Sequence, residues 1–148
     1  MNDLKIKKVV ESLINIFLKA GEISIDLRKK GLKKYIKKDN TPVSNGDLEV
    51  NKIITEELLK LTPDIPIVSE EAAENKSIKN LKNFWLVDPI DGTNSYINNL
   101  EEFTINAGLI INNKAKAGLI CAPAKKRMFY TFDKKSSFEL KNGKKQIL

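Results

Sequence analysis

The spacing of apolar residues changes partway along the chain. Over residues 4–28, Ile6, Val10, Leu13, Phe17, Ala20 and Leu27 fall at three- and four-residue steps or their sum, which predicts one face of a long amphipathic helix. Gly31, just past the basic run Arg28-Lys29-Lys30, is the expected stop. Residues 32–38 read as a short strand, and Asp39-Asn40-Thr41-Pro42 as a turn. A second helix is expected from near Ser44, where Ser44 and Asp47 outline a capping box. Asn51, Ile54, Leu58 and Leu61 continue on the face of Asp47, and Thr62-Pro63-Asp64 ends the helix. Residues 65–68 form a further short strand, with Ser69-Glu70-Glu71 at its end. Residues 72–82 are polar and read as a loop with a helical turn.

From Phe84 onward the period shortens. Phe84-Trp85-Leu86-Val87 predicts a buried strand ending at Val87, followed by Asp88-Pro89-Ile90-Asp91-Gly92-Thr93. Alternating stretches at 103–111, 117–122, 128–132 and 137–140 follow, with turn chemistry at Asn112-Asn113-Lys114 and Asn142-Gly143. Helices first and strands afterwards predict an α+β class, with two long helices packed on one face of a mostly antiparallel sheet. Residues 1–148 read as one domain, without repeats or an internal linker.

Composition narrows the chemistry. The chain holds 148 residues with a net charge of +7, one cysteine and no histidine. The missing histidine removes Ser-His-Asp and Cys-His schemes and any imidazole-bound zinc. A single cysteine makes neither an intrachain disulfide nor a thiolate cluster. Any metal site must therefore use oxygen ligands, which suit Mg²⁺, Mn²⁺ or Ca²⁺. The positive charge is carried almost wholly by scattered lysines, with Arg28 and Arg127 as the only arginines. Aromatic residues are not interleaved with the basic runs in the way a single-strand stacking platform requires, so a solvated surface is expected and no nucleic-acid partner. No apolar run is long enough for a membrane span, and the N-terminus lacks a signal-peptide core; the expected location is the cytoplasm.

The acidic stretch after Val87 is the richest in candidate chemistry. A turn beginning at Pro89 would bring Asp88 and Asp91 onto one ion, with the Ile90 carbonyl between them. Gly92 allows close backbone approach, and the Gly92 and Thr93 amides face what reads as a helix start, a place that attracts phosphate oxygens. If the strands ending at Val68 and Val87 are neighbours, Glu70 and Glu71 join these carboxylates at one edge. Plainer readings exist for each piece: an Asp-Pro turn, an exposed Glu pair, and Asp47 as a helix cap.

In combination the pieces have a specific order. Asn40-Thr41-Pro42-Val43 with Asp47, then Val68-Ser69-Glu70-Glu71, then Trp85-Leu86-Val87-Asp88-Pro89-Ile90-Asp91-Gly92-Thr93 resembles the inositol monophosphatase superfamily of metal-dependent phosphatases. Glu102-Phe103-Thr104-Ile105-Asn106 and Gly118-Leu119-Ile120-Cys121-Ala122-Pro123 are similar to its CysQ-type branch, the 3′(2′),5′-bisphosphate nucleotidases. The resemblance implies the N-terminal half of an αβαβα sugar-phosphatase-type sandwich. It implies Mg²⁺ ligands at Glu70, Asp88, the Ile90 carbonyl and Asp91, with two or three ions in the complete family site and Mn²⁺ as the substitute. It further implies that Thr93, hydrogen-bonded to Asp47, activates the attacking water with help from Glu70. Glu70, Ile90, Asp91, Gly92 and Thr93 would line the substrate.

The implied reaction is phosphomonoester hydrolysis, with adenosine 3′,5′-bisphosphate giving AMP and phosphate; an inositol or other sugar monophosphate is the alternative substrate. The partner is thus a small phosphorylated molecule. This chain departs from the family in two ways. It lacks the Trp-Asp-x-Ala-Ala/Gly stretch of the second half, whose Asp completes the second metal site, and it has Asn94-Ser95 where CysQ-type relatives carry Lys-Glu. A catalytically incomplete module that needs a second half, or associates with itself, is the reading from another class.

Overall fold

The computed structural model describes residues 1–71 and 80–148. The first helix, α1 (Asp3–Lys30), is capped by the Asn2 side chain, which accepts from the Lys5 amide, and ends at Gly31. Its buried stripe includes Ile6, Val10, Leu13, Phe17 and Ala20, as the periodicity predicts. A small antiparallel hairpin follows, β1 (Lys34–Ile36) with β2 (Pro42–Ser44). The sequence pattern reads Pro42 as the end of a turn and Ser44 as a helix start, and misses β2, because a three-residue strand opening on proline carries no alternation to read.

The hairpin runs directly into α2 (Asn45–Leu61). The Ser44 side chain accepts from the Asp47 amide while the Asp47 carboxylate accepts from the Ser44 amide, so the expected capping box is formed. The loop expected over residues 72–82 falls largely on positions 72–79, which lie outside the described residues.

Among the described residues the main sheet has seven strands in the order β3-β4-β5-β6-β7-β8-β9. These are β3 (Ile67–Ser69), β4 (Phe84–Asp91), β5 (Thr104–Ile111), β6 (Lys114–Ala122), β7 (Arg127–Thr131), β8 (Ser137–Lys141) and β9 (Lys144–Ile147). The short helix α3 (Thr93–Ile97) links β4 to β5. Strands β4 to β9 form an antiparallel meander, and β3 pairs with β4 in parallel. The last strand was not anticipated, because its residues Lys144-Lys145-Gln146-Ile147 are all exposed and carry no hydrophobic period.

Helices α1 and α2 pack on each other and on one face of the sheet, α1 over β6 and β7 and α2 over β4 and β3. The core between the layers holds Phe17, Leu13, Ile54, Trp85, Leu109 and Leu119. The Trp85 indole N–H donates to Thr62 Oγ1 at 3.0 Å, tying the end of α2 to β4. The other sheet face is only partly covered. Leu86 and Ile120 are exposed there, and a shallow groove of about 400 Å³ runs over Gly108 and Gly118, which pair directly across β5 and β6.

Candidate active site at the end of β4

The expected strand end at Val87 is corrected by the structure: β4 continues through Pro89 to Asp91. The two aspartates are brought together by a bulge rather than by a turn. Asp88 pairs with Asn106 and Asp91 with Thr104, with a register shift between them. Three steps along β4 thus match two steps along β5. Strand residues two apart share a face, so the extra residue sets Asp88 and Asp91 on the same side. Pro89 has no N–H to leave unpaired in the interrupted ladder, which makes the site tolerant of the bulge.

The conditional placement of Glu70 is met. β3 lies beside β4 with Val68 opposite Leu86 and Ser69 opposite Val87, and the Glu70 amide donates to the Val87 carbonyl at 3.2 Å. One more step along this parallel register puts Glu70 next to Asp88. The buried Ser69 side chain donates to Asn51 Oδ1 at 2.5 Å, fastening this strand to α2.

Asp47 approaches from the helix layer. It is fully buried, and its two oxygens do different work. Oδ2 accepts from the Ser44 amide at 2.9 Å and from the Ser44 hydroxyl. Oδ1 accepts from the Thr93 hydroxyl at 2.9 Å. The helix-cap reading and the catalytic reading of Asp47 are therefore compatible, one oxygen serving each. Thr93 Oγ1 also lies 3.2 Å from the Ile90 carbonyl, so Asp47, Thr93 and Ile90 share one short network.

The backbone bends into this network at Gly92, the residue before α3. Its φ of +85° is left-handed, and a Cβ would stand 2.6 Å from the Glu102 carbonyl oxygen. Both the dihedral and the close approach require glycine. Tyr96, one turn beyond Thr93, is fully buried and donates to the Ser24 carbonyl of α1 at 2.7 Å. Arg28 donates to the Leu100 carbonyl at 2.7 Å and lies over the rings of Tyr96 and Phe103. α3 is thus braced from behind by α1. Neither brace was read from the sequence, since both depend on contacts some seventy residues apart.

Electrostatics support a shared acidic locus. Burial, followed by the negative charges of Asp91, Glu70, Glu71 and Asp47, pushes the Asp88 carboxyl up to about 6. Burial likewise raises Glu71, an effect opposed by Lys37. Lys37 Nζ stands 3.6 Å from Glu71 Oε1; this lysine was not singled out in the sequence, where nothing separates it from its neighbours. Among the described residues, no three Asp, Glu, His or Cys side chains are already drawn together into an ion-holding cage. The carboxylates face one region without closing on a point. Their donor atoms, three carboxylates and the Ile90 carbonyl, are hard oxygens that fit a cation of the Mg²⁺ type.

The profile of the inositol monophosphatase family matches residues 5–146. The chain is 39% identical over 112 residues to the 3′(2′),5′-bisphosphate nucleotidase CysQ of Salmonella typhimurium, covering 75% of this chain and 46% of that protein. Its fold superposes on the crystal structure of the extragenic suppressor protein suhB from Bartonella henselae with a TM-score of 0.79 at 25% identity, over 89% of this chain and 52% of that one. The CysQ structure from Bacteroides thetaiotaomicron gives a TM-score of 0.67 at 26% identity, over 89% and 48%. The chain spans about half the length of the relatives it matches.

Proposed function

The chain belongs to the inositol monophosphatase family, and from that premise we propose that it takes part in metal-dependent phosphomonoester hydrolysis of the 3′(2′),5′-bisphosphate nucleotidase type. The observation that carries this reading is the 2.9 Å hydrogen bond from Thr93 to buried Asp47, set two residues after the strand that presents Asp88 and Asp91 on one face.

In this reading Glu70, Asp88, Asp91 and the Ile90 carbonyl hold Mg²⁺, with Mn²⁺ able to substitute. When bound, the ion supplies positive charge that polarises the phosphoryl group and acidifies water. Thr93 commits its hydroxyl proton to Asp47 Oδ1, which leaves its lone pairs to accept a proton from an attacking water. Thr93 is a weak base alone; the carboxylate behind it strengthens the hydroxyl oxygen as an acceptor. Glu70, at the neighbouring strand end, is the second acceptor for that water. The Gly92 and Thr93 amides orient the phosphate. α1, through Tyr96 and Arg28, keeps α3 and therefore Thr93 in register with Asp47.

The nucleotidase assignment is favoured over an inositol monophosphatase one by the 39% identity to the Salmonella CysQ protein. A second reading rests on coverage. Because the chain spans about half of that relative, the site is completed by a further polypeptide segment, and the 148 residues alone bind the ion without turnover.

The test is phosphate release from adenosine 3′,5′-bisphosphate and from inositol 1-phosphate, with and without Mg²⁺, with Asp91→Asn as control. Mg²⁺-dependent release from the nucleotide, lost in the variant, is expected. Release that ignores Mg²⁺ or survives Asp91→Asn would sink the metal chemistry, and a preference for the inositol ester would replace the substrate class. Turnover only after a second polypeptide is added would select the second reading.

A further inference from the structure

We infer that Asn51 is a positioning residue of the candidate centre: through the Ser69 hydroxyl it sets where Glu70 stands relative to Asp47 and Thr93. The inference rests on the metal-binding reading proposed above, and gives a task to a residue which that reading leaves unused.

Asn51 follows Asp47 by one turn of α2. The two side chains therefore leave the helix on one face, about 6 Å apart along its axis. Each takes the proton of one hydroxyl from the sheet layer. Thr93 donates to Asp47 Oδ1 at 2.9 Å, and Ser69 donates to Asn51 Oδ1 at 2.5 Å. Thr93 stands two residues after β4, and Ser69 is the last residue of β3, immediately before Glu70. One helical turn thus grips both chain segments that carry the proposed water-activating groups. That turn is itself fixed. Ser44 caps it through Asp47 Oδ2, and the fully buried Val50 and Ile54 seat it in the core.

The grip on β3 reaches Glu70 through short, directional bonds. A serine hydroxyl has one proton and two lone pairs. With the proton given to Asn51, a lone pair accepts from the Glu71 amide at 3.3 Å. The Glu70 amide donates to the Val87 carbonyl at 3.2 Å. The Glu70 backbone is held on one side by β4 and on the other by a hydroxyl that α2 orients. Without the Asn51 acceptor, the Ser69 hydroxyl, 2% exposed, is buried with its proton unpaired, a costly state that favours its turning elsewhere. The Glu71 amide then loses a fixed oxygen. β3 is three residues long and, among the described residues, is paired on one side, so its ladder alone does not fix a residue beyond its end. An oxygen that is to share a divalent cation with Asp88 and Asp91 needs such placement, because these ions hold their ligands within a narrow range of distances.

The test is Mn²⁺ binding to the 148-residue chain at neutral pH, followed by loss of the free-ion paramagnetic signal. Asn51→Leu, which keeps the bulk and removes the acceptor, is expected to weaken binding about tenfold, the scale of an outer partner that orients a ligand. Ser69→Ala removes the same bond from its other end and should match it, with the double variant no weaker than either single one. In a Glu70→Gln background, adding Asn51→Leu should shift the affinity by less than about twofold, because the carboxylate it positions is already gone. Thr62→Val removes the acceptor of the Trp85 indole at the far end of α2, and should lower stability while leaving the affinity unchanged. Unchanged binding in either Asn51→Leu or Ser69→Ala, with binding abolished in Asp91→Asn, overturns the positioning role and leaves the metal reading standing. A full tenfold loss on adding Asn51→Leu to Glu70→Gln, or an equal loss in Thr62→Val, also overturns it, since the fold would then be loosened generally. Absence of Mn²⁺ binding by the unsubstituted chain, or binding indifferent to Asp91→Asn, removes both.

Discussion

Replacing Gly46 with alanine should weaken the protein far more than a single methyl group would elsewhere on a helix. Gly46 is buried in the first turn of α2, next to Asp47. A Cβ built there overlaps the Tyr96 hydroxyl oxygen and stands 2.7 Å from ring carbons Cε2 and Cζ. Tyr96 is fully buried and bonded to the Ser24 carbonyl, so its ring has no free space to yield. Overpacking of this kind costs about 1–3 kcal/mol, and displacing the hydroxyl from its acceptor adds roughly 1 kcal/mol. The helix propensity of alanine returns about 1 kcal/mol.

The net expectation for Gly46→Ala is a loss of about 1–3 kcal/mol, a sizeable share of the roughly 5–15 kcal/mol that holds a domain together. Urea denaturation followed by the fluorescence of Trp85, the single and fully buried tryptophan, reads the change as a fall in midpoint of roughly 0.5–1.5 M. Tyr96→Phe removes the overlapping oxygen but leaves the ring carbons, so the double variant should be less destabilised than the sum of the singles by about 1 kcal/mol. A Gly46→Ala protein as stable as the parent, or a strictly additive double variant, would refute the packing explanation.

Three further outcomes are expected. Asp88 has its carboxyl raised from 3.8 to about 6 in the fold; the folded state therefore binds the extra proton, a contribution complete below about pH 4 and lost as pH rises through 6. Without divalent ions, the stability of the parent relative to Asp88→Asn should rise by about 1–2 kcal/mol from pH 7.5 to pH 4.5, a solvent-screened fraction of the full shift; a flat difference would count against the shared acidic locus. Burial pushes the Cys121 thiol up to about 12, so a disulfide reagent should label it at the rate of unfolding, and prompt labelling in the native state would contradict its placement. Leu86 and Ile120 are exposed at 43% and 45% on the sheet face turned away from α1 and α2, so the chain should self-associate in sedimentation, and Leu86→Glu with Ile120→Glu should reduce association; a monomer at high concentration would remove this expectation.

Both long helices were legible because their apolar residues repeat with the helical period and their ends carry capping chemistry, Ser44 with Asp47 and Gly31 after three basic residues. The meander was legible for the same kind of reason, with Ile105, Ala107, Leu109 and Ile111 alternating along β5. What stayed hidden was whatever depended on pairing. The bulge between Asp88 and Asp91 exists only relative to β5, and proline in an acidic stretch reads locally as a turn. β9 was hidden by its polarity, since a strand at the sheet margin needs no buried face. The acids that meet at the end of β4 were picked out by type and order. Lys37 was not, because a lysine on an exposed hairpin is distinguished only by the carboxylate it reaches.

The parallel pairing of β3 has a kinetic consequence. β3 is three residues long and, among the described residues, lies at one margin of the sheet, held by β4 on a single side. Elements of this kind open locally at a small fraction of the global unfolding free energy. Glu70 follows immediately, so one proposed ligand rides on the part of the sheet that should exchange its amide hydrogens soonest, while Asp88 and Asp91 ride on a strand paired on both sides. Protection of the Glu70 amide, bonded to the Val87 carbonyl, would then report occupancy of the whole centre, rising with divalent ion while the interior of β4 stays unchanged.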